Sequence, residues 1–253
     1  MPDLLTRRER ALRYFGPATG RVRLVCFHYA GGTTAMFRDW PKRLPADVSV
    51  VAVQLPGRDT RSDEDPHTRM GPLVAELVDV LSPVLDVPFA FYGHSMGARV
   101  SLWLTHALRA LGGPLPLSLF VASSAAPALM TRVRGWDESD DALVQYLRDL
   151  GGTPPIVFER PDLLELFLPA LRADLTVVAT SGPPPRPALD VPLHVFSGVD
   201  DEEASPERMA AWSRETVSTF THDLIAGGHF FAPEGVAHVL NAIETRLTDT
   251  RPG

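Results

Sequence analysis

The sequence predicts an α/β fold with one mostly parallel central sheet flanked by helices, and three observations predict it. Short runs rich in valine, leucine and phenylalanine recur with little polar alternation, the pattern of strands buried on both faces of a parallel sheet. Segments with helical apolar spacing separate these runs, which implies right-handed crossovers. A glycine-framed serine, Gly93-His94-Ser95-Met96-Gly97, stands between one such run and one such helix. With 253 residues and 45% hydrophobic content, the chain can bury a full core as a single domain over 1–253. A break in the rhythm at 129–185 reads as an insertion into that domain.

Residues 1–20 are polar and are expected to be only partly ordered. Strands follow at 21–27 and 48–54. Residues 67–85 carry Met70, Leu73, Val74, Leu77, Leu81 and Val84 on one stripe, which predicts a helix. Pro88–Tyr92 reads as a short buried strand. Ala98–Leu108 has helical spacing, with Gly112-Gly113 placed to terminate it. Leu117–Ala122 is another buried strand. The last two strands are expected at 193–196 and 219–225, and a helix at Pro233–Leu247 closes the chain. Within 129–185, a helix over Asp137–Leu150 ends at Gly151-Gly152. A second runs from Pro161 to about Val178, despite Pro169 inside it. Gly182–Pro187 then reads as an extended linker back to the sheet. Two helices inserted between core strands and flanked by glycine and proline predict a lid.

Composition narrows the function. The formal net charge is -7 and no long basic run interrupts it, so no nucleic-acid partner is expected. Arg7, Arg8 and Arg10 are not followed by an apolar leader segment, and no apolar run is long enough to span a bilayer. A cytoplasmic location without membrane attachment is the expectation. Cys26, the single cysteine, has no internal disulfide partner and lies in a strand-like run. No clustered Cys/His/Asp spacing indicates a metal site, so no metal is expected.

Gly93-x-Ser95-x-Gly97 is the pattern of a strand–turn–helix elbow that presents a nucleophilic serine hydroxyl above the sheet edge in a strained backbone conformation. A Cβ at 93 or 97 would meet the neighbouring strand or helix. Such a hydroxyl needs a base, and the base needs an orienting partner. Of eight histidines, His67 lies in a loop, His106 and His238 in helices, and His194 and His222 in strands. His94 should point away at the turn. His28 ends the first strand and, with Tyr29, is a candidate for shaping the substrate pocket. His229 follows Leu224–Gly228 just past the last strand, where a loop at the carboxyl edge of the sheet holds it over Ser95. The orienting carboxylate belongs after the preceding strand, where Asp201 is the first choice on its Gly-x-x-Asp spacing and Asp200 the second. Asp174 and Asp223 are weaker candidates. Acyl chemistry also needs two oxyanion donors. The Met96 amide follows the nucleophile, and the Ala30 amide lies in the small-residue loop His28–Gly32.

Taken together, these residues resemble the type II thioesterases, the external editing thioesterases of polyketide and non-ribosomal peptide assembly lines. The resemblance runs almost end to end. It rests on Phe27-His-Tyr-Ala-Gly-Gly32 with Phe37-Arg-Asp-Trp40, on Gln54-Leu-Pro-Gly-Arg58 with Arg61 and Glu64, and on Gly93-His-Ser-Met-Gly97. It continues through Leu171-Arg-Ala-Asp174, Gly198-Val-Asp-Asp201, Trp212 and Gly227-Gly-His-Phe230. The elbow is shared by many α/β-hydrolases, whereas the Gln-Leu-Pro-Gly-Arg and Leu-Arg-Ala-Asp segments are more specific. Two positions depart from the pattern: His28-Tyr29 stands where relatives often have Pro-His, and Ser181 stands where an aromatic residue is expected.

The resemblance implies an α/β-hydrolase fold with a helical lid, a Ser95–Asp201–His229 triad, and hydrolysis of acyl thioesters through an acyl-serine. It implies no cofactor beyond the phosphopantetheine arm of the substrate. The implied partner is an acyl or peptidyl carrier protein, and a monomer is expected. Because carriers are usually acidic, Arg38, Lys42, Arg43, Arg58 and Arg61 are candidates for a docking patch near the site mouth. The competing readings are a serine esterase acting on free oxoesters, a non-catalytic hydrolase-like binding module, and a thioesterase that releases finished product.

Overall fold

Successive residues of the first parallel strand settle which layer each side of the sheet faces. Val25 and Phe27 pack on one side with Val51, Val53, Phe91 and Val121, while Leu24 and Cys26 pack on the other with Val50, Ala52, Tyr92 and Phe120. Both sides are apolar because both are covered, which is why the strand runs lack polar alternation. The computed structural model describes residues 4–17, 19–129, 133–134 and 136–249. The ends of the 1–253 range and positions 130–132 and 135 of the 129–185 insertion lie outside the described residues.

The chain begins with α1 (Leu4–Ala11) and β1 (Leu12–Phe15), followed by β2 (Val22–Phe27) and β3 (Val48–Val53). Next come α2 (Met70–Leu81), β4 (Phe89–His94), α3 (Met96–Ala110) and β5 (Leu119–Ala122). The insertion holds α4 (Asp140–Leu150), α5 (Pro155–Glu159) and α6 (Pro161–Thr180). Then β6 (Leu193–Gly198), α7 (Pro206–Ala210), β7 (Phe220–Ile225) and α8 (Pro233–Asp249) complete the fold. The sheet order is β1-β3-β2-β4-β5-β6-β7, all parallel except β1. This is the α/β-hydrolase arrangement that the sequence predicts. Leu73 and Leu77 of α2 and Val100 and Leu104 of α3 cover one face. Val239, Leu240 and Ile243 of α8, with Phe37 and Trp40, cover the other.

Three features add to or correct the sequence expectations. Within the segment expected to be only partly ordered, Leu12–Phe15 pairs antiparallel with Val50–Val53 and adds an edge strand. Its order comes from backbone hydrogen bonds to β3, which residue composition does not report. Between the two helices expected in the insertion stands a further short one, α5. Finally, Arg58 and Arg61 are buried, not surface cations. Arg58 pairs with Asp174 at 2.5 Å, and Arg61 pairs with Glu64 at 2.5 Å and Glu76 at 2.7 Å. Each finds carboxylates inside the fold, so neither is free to meet a partner's surface.

Candidate active site

The serine is placed by crowding at the β4–α3 turn. An added Cβ at Gly93 would stand 2.2 Å from the Gly97 carbonyl oxygen, and one at Gly97 would stand 2.2 Å from that of Phe27. The turn therefore closes only with glycine at both positions. Ser95 sits between them at φ 54 and ψ -112, a left-handed conformation that a side chain rarely adopts. Its amide donates to the Ala122 carbonyl at 2.8 Å, which ties the strained residue to β5.

Asp201 and His229 come from two loops laced together at the carboxyl edge of the sheet. The Val199 amide donates to the Ile225 carbonyl at 2.9 Å, and the Asp200 amide to the Gly227 carbonyl at 3.0 Å. A Cβ at Gly198 would lie 2.2 Å from the Gly228 carbonyl oxygen, so the two turns approach closely only because 198 is glycine. The result is a chain of contacts: Asp201 Oδ2 lies 2.9 Å from His229 Nδ1, and His229 Nε2 lies 3.1 Å from Ser95 Oγ. Of the two aspartates left open by the sequence, Asp201 is the one that meets the histidine, whereas Asp200 is exposed. A carboxylate only accepts, so the proton of neutral His229 resides on Nδ1 and Nε2 is left to accept from the serine hydroxyl.

Burial alone would raise the Asp201 carboxyl. The hydrogen bond and charge of His229, with the Ala204 and Glu203 amides donating at 3.0 Å each, outweigh it and hold the group below the usual range. His94 points away from the serine into an aromatic cluster, stacked on Phe230 at 5.5 Å and edge-on to His229 at 5.6 Å. Burial, reinforced by the charge of His229, pushes His94 down to about 3.

Ala30 and Met96 both line the cavity that contains Ser95 and His229. The Met96 amide is the first of α3, where helix geometry leaves N–H groups without intrahelical acceptors. The loop bearing Ala30 is pinned from both sides. The Gly32 amide donates to the Tyr29 carbonyl at 2.9 Å, and the Gly31 amide donates to Asp174 Oδ2 at 2.8 Å. Asp174 belongs to α6 and is also forked onto Arg58, so the insertion is tied to this loop by a buried charge pair.

Two small cavities meet at Ser95. One, of about 80 Å³, is walled by Ala125, Val178, Ala204, Arg99 and Ser123 among others. The second, of about 30 Å³, runs between Tyr29, Tyr146, Phe167, Leu171 and Leu175. Tyr29 lines this second cavity. His28 does not: it is packed beneath the loop, with Nδ1 2.8 Å from the Tyr29 carbonyl, and burial and the Arg58 charge push it down to about 4. Sequence reasoning assigned no role to Arg99, although its position four residues after Ser95 puts it one helical turn from the nucleophile. Asp174, a weaker candidate for the orienting acid, meets Gly31 and Arg58 instead of His229.

The description "thioesterase domain" fits a family model matched over residues 22–247. Linear gramicidin dehydrogenase LgrE of Brevibacillus parabrevis is 36% identical over 234 residues, covering 91% of this chain and 89% of that protein. Among solved structures, the RedJ thioesterase of the prodiginine pathway in Streptomyces coelicolor superposes with a TM-score of 0.86 at 39% identity, covering 91% of this chain and 92% of that one. The type II thioesterase BorB of the borrelidin cluster superposes at 0.84 with 33% identity, covering 94% and 98%.

Proposed function

The chain belongs to the thioesterase family, with relatives among the type II thioesterases of polyketide and non-ribosomal peptide pathways, and on that premise we propose that it hydrolyses acyl thioesters carried on the phosphopantetheine arm of an assembly-line carrier protein. The observation that carries this reading is the Asp201–His229–Ser95 chain of contacts at 2.9 and 3.1 Å. His229 Nε2 takes the Ser95 proton as Oγ attacks the thioester carbonyl. Asp201 stabilises the imidazolium, and the Ala30 and Met96 amides receive the oxyanion. Collapse breaks the C–S bond, and the thiolate leaves with the proton from His229. Water, deprotonated by His229 in turn, then cleaves the acyl-serine and releases the acid. The Ser95 hydroxyl is regenerated, and no cofactor enters the balance.

Residues 129–185 act in this reading as a lid, supported by Tyr146, Phe167, Leu171 and Leu175 on the wall beside Ser95. With Arg58 and Arg61 buried, the candidates for docking an acidic carrier that are exposed are Arg38, Arg43 and Lys42, the last already paired with Asp39 at 2.7 Å. The dehydrogenase in LgrE's name is not carried over, since no two glycines of this chain stand in the G-x-G spacing of a dinucleotide loop. The test is turnover of acetyl-, butyryl- and longer acyl-carrier thioesters by wild type and Ser95→Ala, followed by intact mass. Loss of the acyl group with wild type alone is the expected result. Intact carrier thioesters beside a cleaved nitrophenyl ester would favour the oxoesterase reading instead.

A further inference from the structure

Asp201 and Ser95 reach His229 through Nδ1 and Nε2, at 2.9 and 3.1 Å. Two contacts on opposite sides of a ring define an axis and leave rotation about it open. The flanks of the imidazole therefore decide whether Nε2 stays aimed at the serine. The backbone just before it supplies no side chain, since 227 and 228 are both glycine. The first side chain beyond it is Phe230, whose ring centroid lies 5.2 Å from the imidazole at 80°. His94 meets the imidazole edge-on at 5.6 Å and is itself stacked on Phe230 at 5.5 Å. Tyr29 meets Phe230 edge to face at 4.8 Å. These are the separations and tilts that aromatic pairs prefer. Phe230 thus stands in ring contact with Tyr29, His94 and His229 at once.

Phe231, next in sequence, packs against the core layer that α8 covers. Phe230 does not follow it. It is half-buried and lines the smaller cavity at Ser95, together with Tyr29, Phe167 and Leu171. The inserted segment comes down on the same ring. A Cβ added at Gly152, in the turn after α4, would stand 2.3 and 2.4 Å from Cδ2 and Cε2 of Phe230 and 2.7 Å from Cγ. Side chains do not tolerate such distances, and a stiff ring cannot fold away as a flexible chain end would. The turn lies against Phe230 only because 152 is glycine. A second approach of this kind stands on the oxyanion side, where a Cβ at Gly31 would lie 2.7 Å from Cζ of Phe167. Phe230 therefore bridges the insertion and the catalytic histidine.

We propose that Phe230 is a positioning residue for His229, and that the insertion seats it through Gly152. The assignment rests on the Ser95–His229–Asp201 reading of the site and leaves its chemistry unchanged. Phe230 bears no polar side-chain atom and exchanges no proton. It limits the swing of the imidazole about the line from Asp201 to Ser95. Misplacing a catalytic group by about 1 Å can cost on the order of 100-fold in rate, so the effect belongs in kcat and in the reactivity of Ser95. Withdrawing Gly152 from the ring takes away part of this support, so the base is held best with the insertion over the site.

Two readouts test this: kcat and KM on acetyl-pantetheine, and the rate at which a small fluorophosphonate labels Ser95. Labelling needs His229 as base but no pantetheine contact. Phe230→Ala should lower both kcat and the labelling rate by about 100-fold, whereas Phe230→Tyr, which keeps the ring, should stay within a few-fold of wild type. Gly152→Ala alone should slow labelling by about tenfold. Added to Phe230→Ala it should change the rate no further, because the ring it would strike is gone. The φ of 78 at Gly152 strains alanine in either background, and that strain is read separately as a change in Tm. Should Phe230→Ala fail to fold, as judged by its melting curve, Phe230→Leu fills the space without a ring and should slow labelling in the same direction. A raised KM with kcat and labelling unchanged makes Phe230 a cavity wall and overturns the proposal. So does a loss in Phe230→Tyr equal to that in Phe230→Ala. Additive losses in the double variant overturn the seat at Gly152. If wild type is labelled but cleaves no thioester, the thioesterase reading falls and the labelling rates alone decide the proposal. If wild type is not labelled, both fall together.

Discussion

Asp174 Oδ2 accepts the Gly31 amide at 2.8 Å and the Arg58 guanidinium at 2.5 Å, so one carboxylate of α6 holds the loop whose next residue toward the N-terminus is Ala30. Asp174→Ala removes that acceptor and leaves the buried Arg58 with no carboxylate, only the Ala170 carbonyl at 3.4 Å. Breaking a buried pair from one side costs about 3–5 kcal/mol, visible as a large drop in Tm. The double variant Arg58→Met/Asp174→Leu removes both charges and should recover most of that stability. Its kcat should nonetheless stay low, because the Gly31 amide still lacks its acceptor and the Ala30 amide, the proposed oxyanion donor, is no longer held. A double variant with wild-type kcat would separate the helix from the oxyanion loop.

The parts legible in the sequence are those set by local geometry or by chain order. The elbow is written in eight consecutive residues, because the crowding at Gly93 and Gly97 is between near neighbours and one adjacent strand. Asp201 and His229 were reachable because strand ends in a parallel sheet share one edge. Asp174 was not, since its partners lie 116 and 143 residues away, and nothing in a lone Leu-Arg-Ala-Asp segment says what the carboxylate meets. Arg58 reads as a solvated cation for the same reason, and Arg61 does so although Glu64 stands three residues on, because a near carboxylate does not report that the pair is buried against Glu76. Arg99 has a signal in its spacing from Ser95, but its burial is a property of the packed fold alone.

The two loop aspartates should respond differently to loss of charge. Asp201→Asn keeps the shape but permits an amide N–H to face His229 Nδ1, which favours the wrong tautomer. A fall in kcat of about 10⁴ is the scale known for that change in serine proteases. Asp200→Asn, at an exposed position, should stay within a few-fold of wild type. Equal losses in both variants would move the orienting role away from Asp201. Single-turnover acyl release on a pantetheine thioester measures both.

Exposed Arg38 and Arg43 give a salt-dependent prediction for the carrier. Reversing both to glutamate should lower kcat/KM on an acyl-carrier thioester severalfold at low ionic strength. The difference should fade as salt approaches 1 M, where the Debye length is about 3 Å. Turnover of the free acyl-pantetheine thioester should not change, because neither side chain reaches the site. Unchanged carrier turnover at low salt would remove these two residues from docking.

Buried neutral histidines should make the fold acid-sensitive well above the carboxylate range, His94 and His28 among them. His94 is pushed down to about 3 and His28 to about 4, both chiefly by burial. In the unfolded chain each titrates near its ordinary value of about 6.5. Between these limits the unfolded state binds more protons, so stability is full above about pH 6.5 and is lost as pH falls toward 4 and 3. At pH 5 each histidine should have removed about 2 kcal/mol relative to pH 8. Asp201, held below its ordinary value, contributes at lower pH, whereas His106 and His194, each also pushed down to about 4 chiefly by burial, add to the loss in this same window. His94→Phe keeps a ring against Phe230 and removes the titration, so its denaturant midpoint should fall less steeply from pH 7 to pH 5. A slope equal to that of wild type would mean that His94 does not carry the effect.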